Sequence, residues 1–254
     1  MTGRLAIVGL GPGAPGQLTL AALGELKADD VIVGYSAYLD RLSSLQLGAR
    51  MEGYPLGEEV DRAQRAVELA AGGASVVLVS SGDAGVYGMA PLALQAAHRL
   101  TDGEAFGFQV EVIAGVSAAQ AAAAVLGSPL ALDYAALSLS DRLIPWRELS
   151  AKLAALARCD IALALYNPAS RTRLRPWKRA VQLIQRHRDP LTPAAVVHQA
   201  SHPEQTVRLA TVAELHEFVV DMNSIVIVGS RRTRQLGQWL VTLRDWPQAP
   251  EPNG

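Results

Sequence analysis

The chain has 254 residues, of which half are hydrophobic and 19% are charged, a length that suits two globular domains of roughly 100–150 residues. Its formal net charge of −1 gives no overall attraction to nucleic acids, and its lone cysteine, Cys159, excludes an intrachain disulfide and a cysteine-based zinc site. We therefore expect a cytoplasmic protein without an export signal or a membrane-spanning segment.

Short β-branched runs alternate with segments of helical period in the first half of the chain. The predicted strands are residues 5–8, 31–33, 76–79 and 110–113, and the predicted helices are 18–27, 59–71, 90–100 and 117–126. This alternation is typical of parallel strands joined by crossover helices. Residues 1–130 are therefore predicted to form an N-terminal α/β domain.

The second half of the chain begins with a run of turn residues. A linker is predicted from Gly127 to Pro145, and strands are predicted at 161–165, 194–197, 207–209 and 225–228. A short polar connection precedes Val207, which favours an antiparallel pair with the strand before it. Residues 131–245 are therefore predicted to form a mixed α/β domain, and 246–254 a flexible tail.

The first loop motif, Gly9-Leu10-Gly11-Pro12-Gly13, directly follows a predicted strand. Glycines at such a position let backbone amides approach a ligand closely. A dinucleotide site is one interpretation, but Pro12 interrupts the turn, and no acid ends the second strand to bind a ribose. A tight turn without any ligand stays open as the alternative.

Two further loops of small residues also follow predicted strands. They are Ser80–Gly88 and Ala114–Ala118. Ligands of open parallel sheets bind at the carboxyl ends of strands, so the three loops together predict one ligand site at that edge. A simpler interpretation of Asp83 is that it caps the following helix.

The third loop also resembles the elbow that exposes a hydrolase nucleophile. In that hypothesis Ser117 is the nucleophile, and Asp160 or Asp189 acts with His198. A metal site at His198 and His202 is not favoured, because Pro203 argues against the helix that would align them.

Clusters of arginine in the second half have two interpretations. They are either solvated faces or docking sites for ligand carboxylates, which guanidinium groups match well. The candidates for docking are Arg171, Arg173, Arg231 and Arg232.

Four segments together resemble the tetrapyrrole (corrin/porphyrin) methylases in their order and spacing. They are Gly9–Gly13, Ser81–Gly88, Gly115–Ala118 and Leu165–Ser170, and the resemblance covers nearly the whole chain. Where relatives usually have Gly-Asp-Pro, this chain has Gly82-Asp83-Ala84, which keeps the acid. The resemblance implies an α/β fold of two domains, with a parallel sheet in the N-terminal lobe, a mixed sheet in the C-terminal lobe and S-adenosylmethionine between them.

The resemblance also implies which residues contact the cofactor and what else binds. Carried over position by position, the cofactor contacts are Pro12, Ser81, Gly82, Asp83, Val86, Ser117, Ala118, Tyr166, Asn167 and Ala200. It further implies a homodimer with a tetrapyrrole substrate, and we expect no metal site and no nucleic-acid or membrane partner.

The subfamily features, Ser81–Ala90 and Leu165–Arg171, imply methylation of precorrin-3B at C17, with ring contraction to precorrin-4, in cobalamin biosynthesis. Sister methylases share the cofactor loops and act at other carbons, so they stay open, as does a protein that only binds a metabolite. Ring contraction requires proton movement, for which Asp83 and Tyr87 are the candidate acids or bases.

Overall fold

The computed structural model describes residues 3–28, 30–102, 104–142, 144–170 and 173–244. Contacts between Cα atoms divide the chain into two compact units. One comprises Met1–Ala118 and Ser201–Pro203, and the other comprises Ala119–Ala200 and Glu204–Gly254. The predicted domains, 1–130 and 131–245, stay a prediction about folding units, and the predicted tail lies outside the described residues.

The first unit is built on a parallel sheet. Its strands are β1 (Arg4–Gly9), β2 (Val31–Tyr35), β3 (Arg50–Tyr54), β4 (Ser75–Ser80) and β5 (Gln109–Ile113). Its helices are α1 (Leu20–Ala28), α2 (Ser36–Leu42), α3 (Glu59–Ala71) and α4 (Ala90–Leu100). The strand order is β3-β2-β4-β1-β5, and each neighbouring pair is parallel.

The three inner strands, β1, β2 and β4, are buried on both faces of this sheet, which explains why they are continuous apolar runs. Side chains alternate along β1, so Leu5 and Ile7 join the core formed with α3 and α4, while Ala6 and Val8 join the core with α1 and α2. Because β4, β1 and β5 are neighbours, the loops that follow them share one edge of the sheet.

The second unit contains a mixed sheet. Following α5 (Ala118–Leu126), its strands are β6 (Gly127–Ser128), β7 (Tyr134–Ser138), β8 (Ala162–Tyr166), β9 (Pro193–His198), β10 (Thr206–Thr211), β11 (Ser224–Val228), β12 (Thr233–Leu236) and β13 (Trp239–Thr242). Its remaining helices are α6 (Trp146–Arg158) and α7 (Arg175–Gln185). The main sheet has the order β10-β9-β11-β8-β7, in which only β7 and β8 run parallel. A smaller sheet has the order β12-β13-β6.

The predicted fold class is confirmed, since one unit has a parallel sheet and the other a mixed sheet. Every predicted strand and helix is present, with ends that differ by at most two residues, and β9 and β10 form the predicted antiparallel pair. The prediction of a linker from Gly127 to Pro145 is wrong for two strands, since β6 pairs with β13 in the smaller sheet and β7 pairs with β8 inside the main sheet. Strand β3 was not predicted, because it lies at the sheet edge and has no run of buried residues to mark it.

No helix in the described ranges is both long and apolar enough to cross a bilayer.

Candidate functional site

Three loops of the first unit meet through their glycines at the carboxyl ends of β1, β4 and β5. Gly11 and Gly82 exchange two backbone hydrogen bonds, with N to O distances of 3.0 and 2.8 Å. A Cβ atom added to Gly9 would lie 2.7 Å from the Gly82 carbonyl oxygen, and one added to Gly115 would lie 2.2 Å from the same oxygen. The backbones approach so closely that only glycine fits at these positions.

The Asp83 carboxylate ties the second of these loops to the third. Its Oδ1 accepts a hydrogen bond from the Gly85 N–H at 2.8 Å, and its Oδ2 accepts one from the Gly115 N–H at 3.0 Å. The interpretation of Asp83 as a helix cap is wrong, because α4 has Met89 at its N-cap and no side-chain cap. Asp83 positions the loops, and its role as an acid or base stays a prediction.

The rim of the second loop is exposed. Tyr87 has a left-handed backbone with φ of 55° and a fractional exposure of 53%, and the neighbouring Val86 and Ser81 are exposed as well. Backbone conformations of this kind are sparsely populated and are often found where a ligand binds. The loop therefore combines close backbone contacts at its glycines with exposed side chains at its rim, which a ligand can reach.

The hydrolase hypothesis disagrees with the structure. Ser117 is 8% exposed, whereas an elbow must present its hydroxyl to the substrate. His198 Nε2 lies 3.1 Å from the Asp221 carboxylate, and the two acids proposed for the triad, Asp160 and Asp189, bind other groups. Neither predicted acid is the partner of His198.

In the second unit, Tyr166 and Asn167 lie where β8 ends. The Tyr166 hydroxyl accepts a hydrogen bond from the Ala119 N–H at 3.0 Å, near the start of α5. Asn167 has φ of 51°, and its Nδ2 donates to Ser138 Oγ at 3.1 Å. Ala200, also predicted to contact the cofactor, is buried just after β9.

Arg173 is occupied within the second unit. Its guanidinium donates to the carbonyl oxygens of Leu139 at 2.9 Å and Asn167 at 3.1 Å, and it lies 3.5 Å from the Asp141 carboxylate. These contacts link the ends of two parallel strands, β7 and β8. The structure therefore favours a positioning role for Arg173 over docking of a ligand carboxylate.

Of the other three arginines predicted to bind ligand carboxylates, one forms an ion pair in the structure and one lies outside the described residues. Arg231 pairs with Asp160 at 3.0 Å, while Arg171 lies outside the described residues. Docking by Arg232 stays a prediction.

Two glutamine side chains that the sequence did not single out contribute buried acceptors. Among the described residues, the Oε1 atoms of Gln17 and Gln199 are buried and have no hydrogen-bond partner. Gln17 follows the first glycine loop, and Gln199 directly precedes Ala200. A buried acceptor without a donor is costly, so each site fits a ligand that supplies an N–H or O–H group. The sequence did offer a signal for Gln199, because it is a polar residue that follows a predicted strand and precedes Ala200, a predicted cofactor contact.

The turn that supports Gln199 is organised by Asp221. The Asp221 carboxylate accepts hydrogen bonds from the Asn223 N–H at 2.9 Å and Ser224 Oγ at 2.8 Å, and it contacts His198 at 3.1 Å. Partial burial acts to raise the pKa of Asp221, but these hydrogen bonds outweigh it and hold the pKa below its ordinary value. The Gln199 N–H in turn donates to the Asn223 carbonyl.

This lowered pKa makes stability depend on pH in a defined direction. A carboxyl group with a lowered pKa in the folded state contributes stability above its unfolded pKa of about 3.9, and that stability is lost as the pH falls through the folded value. We expect Asp221→Asn to lower the free energy of unfolding at pH 7 by about 1 kcal/mol, a modest figure because the side chain is half exposed. The difference from wild type should shrink in urea unfolding below about pH 3.

The control for this measurement is Glu104→Gln, which changes an exposed carboxylate. A constant difference between wild type and Asp221→Asn from pH 7 down to the acid range would contradict the expected linkage.

Residues 4–216 match the family described as Tetrapyrrole (Corrin/Porphyrin) Methylases. The chain belongs to this family. The resemblance predicted from the four loop segments is thereby confirmed.

The similar proteins differ in length. CobIJ, a cobalamin biosynthesis protein of Mycobacterium tuberculosis, is 41% identical over 92% of this chain, which spans 46% of that protein. A probable cobalt-factor III C(17)-methyltransferase of Salmonella typhimurium is 35% identical over 95% of this chain and 99% of its own length. A precorrin-3B C(17)-methyltransferase of Sinorhizobium is 37% identical over 92% of this chain and 91% of its own. The chain therefore matches about half of the first relative and nearly all of the other two.

Solved structures of methyltransferases share this fold. The crystal structure of the methyltransferase CobJ has a TM-score of 0.87 and 33% identity, covering 95% of this chain and 100% of that one. Uroporphyrin-III C-methyltransferase of Thermus thermophilus, solved in complex with S-adenosylhomocysteine, has a TM-score of 0.68 and 25% identity, covering 89% of this chain and 97% of that one.

Proposed function

We propose that this protein is an S-adenosylmethionine-dependent methyltransferase that methylates C17 of precorrin-3B, with ring contraction to precorrin-4, in cobalamin biosynthesis. The observation that carries the proposal is the full-length likeness to the C(17)-methyltransferases, which extends over 99% and 91% of two of them. Methylases that act at other carbons share the cofactor loops, but the identity to the two C(17)-methyltransferases, 35% and 37%, exceeds the 25% identity to the uroporphyrin-III C-methyltransferase of Thermus thermophilus.

The loop geometry supports a role in cofactor binding. The Thermus relative was solved with S-adenosylhomocysteine, the product of S-adenosylmethionine after methyl transfer. In the first unit, Gly82 has φ of 63° and presents its backbone beside Gly115. The buried acceptors of Gln17 and Gln199 suit the amino and hydroxyl groups of an adenosine. We assign these residues to the cofactor site together with the ten contacts predicted from the family resemblance.

The chain's own task in this reaction is positioning. S-adenosylmethionine supplies a methyl group that its sulfonium already activates, so no side chain is required as a nucleophile. The protein must align the acceptor carbon and exclude water. The contacts of Asp83 with Gly85 and Gly115 keep two loops in register for this purpose.

A proton must also move during ring contraction, and the two candidates differ in availability. Both oxygens of Asp83 accept backbone hydrogen bonds, whereas Tyr87 is 53% exposed at the rim of its loop. Exposure favours Tyr87 as the group that reaches the substrate.

The decisive experiment is incubation with methyl-labelled S-adenosylmethionine and either precorrin-3B or cobalt-factor III. We expect one labelled methyl group at C17, located by NMR, in a product whose mass agrees with transfer of one methyl group. Running both substrates establishes whether cobalt must be present. A methyl group at another carbon would indicate a sister methylase, and cofactor binding without any transfer would indicate a protein that only binds the metabolite.

We further propose a cytoplasmic homodimer. Exposed apolar side chains such as Leu191 and Val219 supply surface that a second copy would cover, and the exposed free thiol of Cys159 suits a reducing compartment. Light scattering should give twice the chain mass, and a monomer at all working concentrations would contradict the dimer. Cell fractionation tests the location.

A further inference from the structure

A small cleft, with a cavity volume of about 30 Å³, opens to solvent in the first unit, between the first glycine loop and α2. Gly11, Gly13 and Ser81 are among the residues that line it. The rest of the lining is largely apolar and includes Leu10, Ala14, Pro15, Leu18, Leu42 and Leu45. The cleft therefore adjoins two of the three loops assigned to the cofactor, and most of its lining side chains are apolar.

A positively charged side chain, that of Arg41, lines this cleft. The Arg41 guanidinium lies over the Tyr38 ring, 5.6 Å from its centroid, and both side chains line the cleft. Stacking on an aromatic face orients a guanidinium without neutralising it. In the described part of the chain, Arg41 is exposed and makes no ion pair or hydrogen bond.

Gly13 leaves space on this side of the loop. A Cβ atom added there would lie 3.6 Å from Arg41 Nη1 and 3.5 Å from the His202 ring. Its φ of 137° also disfavours any other residue. The loop therefore brings Arg41 and the His202 ring close together across a position with no side chain, and an anionic group could reach both.

The pairing of Arg41 contrasts with that of other arginines in the first unit. Arg65 binds Glu52 at 3.0 Å, and Arg4 binds Glu111 at 3.1 Å. Arg41 keeps its charge available at the mouth of an apolar cleft. This combination fits a ligand group that has a short hydrocarbon stem and ends in a carboxylate.

We propose that the Arg41 and Tyr38 cleft binds one carboxylate-bearing arm of the tetrapyrrole substrate. The inference rests on the proposed function, because the acetate and propionate arms of a precorrin have this chemistry. The methylene carbons of the arm lie against the leucine side chains, and its carboxylate pairs with Arg41. This arrangement assigns to the first unit a docking role that the sequence had suggested for arginines of the second.

The test compares Arg41→Ala with a matched variant, Arg99→Ala. Arg99 is also an exposed arginine of the first unit, but it lines a different cavity, between α3 and α4. The probe is uroporphyrin III, a fluorescent porphyrin with acetate and propionate arms, whose binding needs no turnover. The KM for precorrin-3B and the Kd for S-adenosylhomocysteine are measured on the same proteins.

We expect Arg41→Ala to weaken uroporphyrin III binding and to raise the KM for precorrin-3B, each by about tenfold or more. The Kd for S-adenosylhomocysteine should stay within about twofold of wild type, and Arg99→Ala should leave all three quantities within about twofold. Arg41→Lys keeps the charge but loses the planar fork, so it should give an intermediate loss and shows that charge at this position is what the porphyrin senses.

Equal uroporphyrin III binding by wild type and Arg41→Ala would overturn the inference. So would a loss of S-adenosylhomocysteine binding in Arg41→Ala as large as its loss of uroporphyrin III binding. Absence of uroporphyrin III binding by the wild type would overturn it too. Failure of the proposed function is a different result: the wild type would bind uroporphyrin III through Arg41 but transfer no methyl group to precorrin-3B.

Discussion

Replacing Gly115 with alanine is expected to destabilise the protein by about 3 kcal/mol or more and to weaken S-adenosylhomocysteine binding at least about tenfold. The added Cβ atom would lie 2.2 Å from the Gly82 carbonyl oxygen and 2.7 Å from the Gly9 carbonyl oxygen. Both neighbours are backbone atoms, so the clash can be relieved only by separating the loops. Urea unfolding and isothermal titration calorimetry measure the two effects.

The matched control is Gly24→Ala, which makes the same chemical change inside α1. A Cβ atom at Gly24 meets no atom within 4 Å, and alanine is favoured over glycine in a helix interior by up to about 1 kcal/mol. This variant should therefore be slightly more stable than wild type and bind the cofactor product normally. If Gly115→Ala also retained wild-type stability and binding, the close approach of the three loops would not be required.

Replacing Arg188 with methionine is expected to lower the free energy of unfolding by about 3–5 kcal/mol. The Arg188 side chain is 2% exposed, and its Nη1 lies 2.9 Å from Asp160 Oδ1. It also donates to the carbonyl oxygens of Leu156, Ile161 and Gly229, which belong to three separate segments of the second unit. Burial lowers the pKa of Arg188 although Asp160 acts to raise it. Removing the guanidinium takes a donor away from three carbonyls and leaves Asp160 with only its contacts to Arg231.

Arg231→Met is the control, because Arg231 contacts the same carboxylate, at 3.0 Å, with 83% of its side chain exposed. A solvated pair of this kind contributes about 1 kcal/mol or less, so urea unfolding should separate the two variants clearly. Similar losses in both would mean that the burial of Arg188 adds nothing to the Asp160 interaction.

The sequence alone was sufficient to predict the elements whose residues are buried in a regular pattern. Strands β1, β2 and β4 are apolar because both of their faces are covered, and α3 and α4 were predicted to the residue. The three glycine loops were found because each follows a predicted strand, and together with Leu165–Ser170 their order and spacing predicted the family.

What the sequence could not show depends on contacts between distant segments. The meeting of Gly9, Gly82 and Gly115 follows from the order β4-β1-β5, which the period of any one strand does not encode. Strand β7 was taken for a linker, because turn residues flank it on both sides and its pairing with β8 becomes visible only in the sheet.

The arginines illustrate the same limit. Three arginines have different contacts. Arg41 stacks on a tyrosine at an open cleft, and Arg173 donates to carbonyl oxygens at the ends of two strands. Arg188 is buried and donates to three carbonyl oxygens. Local sequence largely determines whether a segment forms a helix or a strand, because the spacing of its apolar residues follows the period of that element. The partner of a long charged side chain is determined by which distant segments fold against it, so only the tertiary structure decides whether that charge binds a ligand or holds the fold together.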